Sequence, residues 1–252
     1  THYHADMVAS SLFSVIHEGG HALYELHTGR ELARSNLGTG VSMGIHESQS
    51  RFYENIIGRS RAFCSIIYPW LKEHFAPRLD HVTEDDFYRM INKSEPSLIR
   101  TEADELTYCL HIMVRYELEK RMFDGSLTAH DLPAEWNRLY KEYLGIDVPD
   151  DRQGVLQDSH WANGNIGYFP SYAIGSAYGA QYLQEMSRDL DVDAVVRSGD
   201  LTPINNWLED RIWKHGCMKD PVALFESVCG KFDPACYVAY LEKKFTEVYG
   251  LS

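Results

Sequence analysis

The sequence predicts a mainly helical protein, and three observations lead to this fold class. Apolar side chains recur at helical spacing through most of the 252 residues. Helix-capping residues precede several of these segments, and glycines follow them. Only residues 35–45 combine glycine with β-branched residues in a way that suggests another structure. We interpret that segment as a short hairpin or an irregular loop.

The helices are predicted in chain order from their start and stop signals. The first runs from about Ala5 to Leu26, with Asp6 as an acid in its first turn and Gly29 as its stop signal. A long helix is expected from about 46 to 74, and Thr83 caps the next one. The remaining helices are expected at about 98–123, 132–145 and 173–182, with shorter pieces around Trp207, Leu224 and Tyr240.

The composition is that of an ordinary globular protein, with 44% hydrophobic and 24% charged residues in one large domain or two small ones. A formal net charge of -13 argues against nucleic acids and anionic membranes as partners. No apolar run approaches the roughly 18 residues of a membrane span. The five cysteines are odd in number and lack a C-x-x-C pair. We therefore expect a cytoplasmic protein whose thiols fill core space.

The pattern H-E-x-x-H occupies residues 17–21 of the first predicted helix. His17 and His21 are four residues apart, so their imidazoles project from one face of the helix and can share a metal ion. Glu18 lies beside them as a candidate general base for a metal-bound water. The alternative is an ordinary helix that carries two surface histidines.

Two details favour the metal site. Apolar residues such as Leu12 and Ile16 surround the pattern, which predicts that its charged groups are buried and need a compensating cation. The second detail is the glycine pair Gly19-Gly20, because each interior glycine costs about 1 kcal/mol relative to alanine. We therefore expect another part of the chain to approach the helix closely at this pair.

The third metal ligand is expected on the next helix, because a glutamate downstream of H-E-x-x-H completes the site in one large class of zinc peptidases. Two residues qualify, Glu47 and Glu54, which are expected two turns apart on the same face. We favour Glu47, since the glycine-rich segment before it would let the start of that helix swing against the first one.

Two further segments carry polar groups suited to a substrate site. Arg100 stands at the head of the helix expected from residue 98, with Asp104 one turn later. This turn is either a solvated face or the place of a fixed arginine that clamps a carboxylate. Residues 154–172 are too polar for a core and too aromatic for a linker. There His160 is either a packed or surface histidine or, beside Asp158 and two tyrosines, a donor to substrate.

Four blocks of the sequence resemble, in order and spacing, the signatures of the carboxypeptidase Taq family of metal-dependent carboxypeptidases. They are H-E-G-G-H-A-L-Y-E at 17–25, H-E-S-Q-S-R at 46–51, I-R-T-E-A-D at 99–104 and G-V-L-Q-D-S-H-W at 154–161. The family also carries an Asp-x-Arg-x-Thr block just before the first helix, and this chain begins at Thr1, where that block would end. We expect residues 1–252 to be a single catalytic region, the C-terminal part of a longer metallocarboxypeptidase.

The resemblance implies a role for each candidate residue. The metal, zinc with cobalt as a possible substitute, would be held by His17, His21 and Glu47, and Glu18 would be the general base. Arg100 would bind the free C-terminal carboxylate of the substrate, which would make the enzyme an exopeptidase. The tetrahedral oxyanion would receive hydrogen bonds from two donors, which are His160 and Tyr168, with Tyr172 second for the tyrosine role.

The resemblance also implies the architecture of the cleft-forming, gluzincin-like zinc peptidases, mainly α with a small β-sheet near the active site. The strands of that sheet would come from residues 35–45. A homodimer acting on peptide substrates is implied as well. Two alternatives remain open: a dipeptidyl carboxypeptidase or oligopeptidase of the same fold, and a metal-binding fragment without catalysis.

Overall fold

The computed structural model describes residues 7–251, and every regular element in that part is a helix. The prediction of a mainly helical fold is therefore confirmed. The chain divides into two compact units. The first comprises Thr1–Asn92 and Ile174–Ser252, and the second comprises Lys93–Ala173. That residues 1–252 act as one catalytic region stays a prediction.

Eleven α-helices lie within the described residues. The first unit contains α1 (Val8–Leu26), α2 (Met43–Arg51), α3 (Arg61–His74), α4 (Glu84–Ile91), α8 (Val192–Ser198), α9 (Thr202–Arg211), α10 (Pro221–Cys229) and α11 (Ala235–Tyr249). The second unit contains α5 (Tyr108–Phe123) and α6 (Leu132–Leu144). The helix α7 (Pro170–Met186) begins in the second unit and continues into the first.

Each unit has its own hydrophobic core. In the first unit α1 packs against α2, and the core around this pair includes the buried side chains of Tyr24, Ile45, Phe52, Tyr182 and Trp213. In the second unit α5 packs against α6 around Val114, Leu118, Trp136, Leu139 and Tyr140. Burying one large apolar side chain contributes about 1.5–3 kcal/mol. These cores therefore hold the helices that carry the candidate site residues.

Of the two interpretations of residues 35–45, the irregular loop is confirmed and the short hairpin is wrong, and with it the small β-sheet near the active site. The segment is an irregular loop that leads into α2, and no strand occurs among residues 7–251. Side chains of α1 bind the backbone groups that a partner strand would have bound. The Tyr24 hydroxyl accepts a hydrogen bond from the Val41 amide at 3.0 Å, and the Glu25 carboxylate accepts one from the Gly40 amide at 2.9 Å. Because these donors are satisfied, the loop needs no sheet.

The long helix expected from 46 to 74 is interrupted. After α2 the chain continues through a wider π-helical turn at Phe52–Ile57 and then bends before α3. Ser60 caps α3 by accepting a hydrogen bond from the Phe63 amide at 3.0 Å. A serine followed by a helical segment is a sequence signal for this break. The π-helical turn itself is of a kind that is frequent at functional sites.

The helix α5 begins at Tyr108, later than expected. Before it, Arg100–Glu102 form only a short 3₁₀ turn. Asp104 explains the delay, because its carboxylate accepts hydrogen bonds from the backbone amides of Leu106 at 2.9 Å and Thr107 at 3.0 Å. An aspartate that binds its neighbouring backbone amides offers an alternative to helical hydrogen bonding.

Other elements agree with the predictions. The first helix ends at Leu26, whereas its expected start at Ala5 and the acid Asp6 lie outside the described residues. Thr83 caps α4, and α6 ends at Gly145, which adopts the left-handed conformation with φ 73°. The start of α4 and the end of α6 are therefore each set by residues within one helical turn.

Cys64 is buried, and Cys217 and Cys229 are partly buried against the core of the first unit, so the expectation that the thiols fill core space holds for these three. Among the described residues, we find no helix with the length and apolar character needed to cross a membrane.

Candidate active site

His17 and His21 lie one turn apart on α1, and both direct their Nε2 atoms towards one carboxylate on α2. The Oε2 atom of Glu47 is 3.7 Å from His17 Nε2 and 3.8 Å from His21 Nε2. One possible ligand atom from each of the three residues lies within 4.8 Å of the others. The structure thus brings together the three residues that were expected to hold a metal ion.

Two glycines allow Glu47 to lie so close to the histidines. A Cβ atom on Gly20 of α1 would be 2.7 Å from the Cα atom of Ser50, and one on Gly175 of α7 would be 2.6 Å from the Cβ atom of Glu47. Both distances are too short for real Cβ atoms, so α2 fits here because neither position has a side chain. The close approach expected at the glycine pair is confirmed at Gly20, whereas a Cβ atom on Gly19 would meet nothing within 4 Å.

The surroundings of Glu47 fit a divalent cation. Its side chain is buried, and its Oε2 atom accepts a hydrogen bond from the Ser50 hydroxyl at 3.1 Å. Within the described part of the chain, no lysine or arginine pairs with it. A buried carboxylate is costly without a cation. Zinc bond lengths of about 2.0–2.2 Å place tetrahedral ligand atoms about 3.4 Å apart, which is close to the two histidine–carboxylate distances of 3.7 and 3.8 Å.

The outer nitrogen of His17 contacts Glu54. His17 Nδ1 lies 2.8 Å from Glu54 Oε2, and Arg51 Nη1 donates to the same oxygen at 3.2 Å. Burial alone would raise the pKa of Glu54, but Arg51 and His17 outweigh it and lower that pKa to about 2. The two glutamates that competed as third ligand therefore both contact His17, Glu47 near Nε2 and Glu54 at Nδ1.

The outer nitrogen of His21 contacts another histidine, which sequence reasoning missed. His21 Nδ1 lies 2.7 Å from His46 Nδ1. Burial, followed by the neighbouring His17 and His46, lowers the pKa of His21 to about 3. A neutral imidazole is the form that binds a metal. The position of His46 directly before Glu47 was the signal that could have identified it.

Glu18 is exposed, so the expectation that the charged groups of the pattern are all buried is wrong for this residue. It lies on the same turn of α1 as His17. It makes no hydrogen bond or ion pair with the residues that the structure describes.

Arg100 begins only a short 3₁₀ turn instead of the expected long helix, and its side chain is not free, because it is about 5% exposed and ion-paired. Its Nε and Nη2 atoms donate to Asp158 Oδ1 at 3.0 and 2.7 Å, and its Nη1 atom donates to the Tyr108 hydroxyl at 2.8 Å. The partner of Arg100 is therefore not Asp104, which binds the backbone before α5. All of these residues belong to the second unit.

A second buried arginine, Arg115 of α5, shares the carboxylate of Asp158. Its Nε atom donates to Asp158 Oδ2 at 2.7 Å. Burial alone would raise the pKa of Asp158, but the guanidinium groups of Arg115 and Arg100 outweigh it and hold that pKa below its ordinary range. Sequence reasoning missed Arg115, although its spacing of three residues from Ile112 and Leu118 placed it on the apolar face of the predicted helix.

His160, Tyr168 and Tyr172 form an aromatic cluster in the second unit. His160 Nε2 lies 3.2 Å from the Tyr172 hydroxyl, and the ring centroids of His160 and Tyr168 are 5.4 Å apart. The Tyr172 ring centroid lies 4.8 Å from the Arg100 guanidinium. Burial, and next the charge of Arg100, lowers the pKa of His160. The second unit thus collects all four residues that were expected to bind substrate or the oxyanion.

Comparisons with known proteins cover nearly the whole chain. The model of one family, carboxypeptidase Taq (M32) metallopeptidase, matches residues 1–245. Carboxypeptidase 1 of Bacillus subtilis is 45% identical over 251 residues, which are 99% of this chain and 50% of that protein. The thermostable carboxypeptidase 1 of Thermus thermophilus is 43% identical over 252 residues, 99% of this chain and 49% of that protein.

A solved structure has the same fold over this part. The M32 carboxypeptidase from Deinococcus radiodurans R1 matches with a TM-score of 0.92 and 40% identity, covering 95% of this chain and 49% of that one. This chain spans about half the length of the curated relatives it matches. Since the family model extends over nearly all of its residues, the chain belongs to the carboxypeptidase Taq (M32) family of metallopeptidases.

Proposed function

We propose that this chain carries the catalytic residues of a metal-dependent carboxypeptidase, which hydrolyses the last peptide bond of a peptide. The observation that supports this most is the convergence of His17, His21 and Glu47 on one point. The relatives it matches are named carboxypeptidases. The proposed ion is zinc, with cobalt as a substitute, because two imidazoles and a carboxylate are a donor set that zinc enzymes use.

Glu18 is the proposed general base. A divalent ion bound by His17, His21 and Glu47 would lower the pKa of a water and polarise the carbonyl of the scissile bond. Glu18 takes the proton of the attacking water and passes it to the leaving amine. Its exposure on the same turn as His17 supports this role, because the base must meet both water and substrate.

Arg100 is the proposed site for the C-terminal carboxylate of the substrate. Two guanidinium groups, Arg100 and Arg115, share the single carboxylate of Asp158, so this buried cluster carries an excess positive charge. Arg100 has five N–H groups, of which three make the hydrogen bonds to Asp158 and Tyr108. The other two remain for a ligand, and a substrate carboxylate would balance the charge.

His160 and Tyr168 are the proposed donors to the oxyanion, with Tyr172 as the second candidate for the tyrosine. Donors of this kind stabilise the charge that develops on the carbonyl oxygen during attack. The hydrogen-bond distance between His160 Nε2 and the Tyr172 hydroxyl supports Tyr172 as a partner that orients the imidazole. The proposal also includes a gluzincin-like, cleft-forming fold, assembly into a homodimer and a cytoplasmic location.

The test is hydrolysis of a matched pair of peptides, one with a free C-terminal carboxylate and one with a C-terminal amide. We expect the full-length protein to release single residues, identified by mass, and to prefer the free acid. Arg100→Ala should lower kcat/KM for the acid by roughly 10–200-fold, the value of a lost charged hydrogen-bond pair. For the amide, kcat/KM should fall much less.

Arg138→Ala serves as the control, because Arg138 is an exposed arginine of the same unit whose ion pairs are with Glu135 and Glu142, away from Asp158. Release of dipeptides would favour a dipeptidyl carboxypeptidase. Bound metal without any hydrolysis would favour a metal-binding protein that lacks catalysis. If Arg100→Ala lowered kcat/KM equally for the acid and the amide, the proposal that Arg100 binds the substrate carboxylate would be wrong.

A further inference from the structure

Three side chains of the first unit form a hydrogen-bonded chain that ends at His21. His21 Nδ1 lies 2.7 Å from His46 Nδ1, and His46 Nε2 lies 2.6 Å from Glu25 Oε1. His21 and Glu25 are one turn apart on α1, and His46 lies on α2 directly before Glu47. The chain therefore runs from a carboxylate, through one imidazole, to an imidazole whose other nitrogen faces Glu47.

The direction of these hydrogen bonds follows from the lone pair that a metal ligand needs. If His21 offers the lone pair of Nε2, its proton must be on Nδ1. His46 Nδ1 must then accept that proton's hydrogen bond, which leaves the proton of His46 on Nε2. The Glu25 carboxylate accepts from that Nε2. One arrangement of protons thus satisfies every group in the chain.

The packing holds His46 in this orientation. Its imidazole lies against the ring of Tyr24, with centroids 5.0 Å apart, and a Cβ atom on Gly40 would be 2.8 Å from its Cδ2 atom. Glu25 is fixed by Thr39 and Gly40, which donate to its carboxylate at 2.9 Å. The loop after α1 therefore clamps both members of the pair.

We propose that His46 and Glu25 are positioning residues, which hold the His21 ring in the tautomer and orientation that bind the metal. This inference rests on the proposed function, since it requires that His21 is a metal ligand. His17 differs, because its Nδ1 meets the Glu54 carboxylate directly, without an intervening histidine. His46 acts on the metal only through His21, so its loss should change metal affinity rather than remove the site.

The test measures the affinity of the full-length protein for Zn²⁺ by competition with a chelator. Loss of a group that orients a metal-binding histidine typically weakens affinity by about 10–100-fold, which is the loss expected for His46→Ala. His46→Asn should recover most of it, because the amide oxygen of asparagine can accept at nearly the position of Nδ1. The melting temperature of the metal-free proteins should stay close to that of the wild type.

Two further measurements separate positioning from a general structural role. Since Glu25 acts through His46, the double variant Glu25→Ala/His46→Ala should bind Zn²⁺ no more weakly than His46→Ala alone. Thr39→Val removes one of the groups that fix Glu25 but leaves the Gly40 amide on the same carboxylate, so it should lower the affinity less than His46→Ala does. In the zinc-loaded wild type, ¹⁵N NMR of the histidine side chains should find the proton of His46 on Nε2.

Wild-type affinity for Zn²⁺ in His46→Ala would overturn the inference, and so would a proton on Nδ1 of His46. A loss that merely follows a lower melting temperature, with no recovery in His46→Asn, would reduce His46 to a packing residue and also overturn it. Failure of the wild type itself to bind Zn²⁺ would instead contradict the proposed function. The two failures are therefore distinguishable.

Discussion

Gly20 of α1 lies directly against the backbone of Gln49 in α2, so closely that a Cβ atom on Gly20 would be 2.7 Å from the Gln49 carbonyl oxygen. This contact sets how near the two helices can come. Because Glu47 and His21 lie close to it in the sequence, the same contact sets the distance between carboxylate and imidazole. The glycine is therefore as important to the site as the residues with ligand atoms.

Gly20→Ala should push α2 away from α1 and separate Glu47 from the histidines. We expect the free energy of unfolding to fall by about 1–3 kcal/mol, the usual cost of overpacking, and Zn²⁺ affinity to fall as well. Gly19→Ala is the matched control, because a Cβ there meets nothing within 4 Å. It should stabilise the helix by about 0.5–1 kcal/mol. Thermal unfolding and chelator competition measure both effects, and identical behaviour of the two variants would contradict the argument.

Glu47→Ala should weaken Zn²⁺ binding more than Glu54→Ala does. The first removes a proposed ligand, whereas the second removes a carboxylate that contacts His17 only at Nδ1. Loss of such an outer carboxylate costs about 10–100-fold in affinity. Chelator competition on both variants provides the measurement. If Glu54→Ala lost more metal than Glu47→Ala, the proposed ligand set would be wrong.

Glu18→Gln should retain the metal and lose turnover. Glutamine keeps the size and polarity of the side chain but cannot accept a proton from water. We expect kcat to fall by roughly 10²–10⁴-fold, the usual scale for loss of a general base. Metal content and kcat are measured on the same sample. Near-normal turnover in a metal-loaded variant would falsify the proposed mechanism.

His111, in the second unit, should make the stability of the protein depend on pH. Burial, then the charges of Arg115 and Arg100, lowers the pKa of His111 to about 3. The unfolded chain, with a histidine pKa near 6.5, binds the proton more readily than the folded chain between these values. Stability should therefore fall as the pH drops from about 6.5 towards 3, by at most about 1.4 kcal/mol per unit.

His111→Gln tests this, because glutamine does not titrate and can still bond to the Tyr140 hydroxyl that His111 contacts. Denaturant unfolding at several pH values should give a smaller slope for this variant than for the wild type. Equal slopes for wild type and His111→Gln would refute the assignment.

The clearest contrast between local and distant information concerns Arg100. Asp104 is four residues after Arg100, a spacing that would let the two side chains pair only on a helix. The local preference of Asp104 for neighbouring backbone amides prevents that helix. Arg100 then pairs with Asp158, which is 58 residues away in the chain. Spacing cannot predict such a contact.

The loop at 35–45 is a second case. Its glycines and β-branched residues are compatible with a hairpin, and nothing local decides between a hairpin and a loop. The decision depends on Tyr24 and Glu25, which lie on the preceding helix and bind the backbone amides of Val41 and Gly40. Those bonds exist only when α1 and the loop are folded together.

The sequence by itself determined the helices with clear caps, the histidine pair of α1 and the two candidates for the third ligand. These features depend on residues within two helical turns, where geometry follows from spacing alone. Only the tertiary structure decided which nitrogen of His17 each glutamate meets, and that His46 and Glu25 form a hydrogen-bonded chain with His21. The physical reason is that these contacts join α1 to α2 and to the π-helical turn after it, where backbone packing at Gly20 and Gly175 sets how closely α2 approaches.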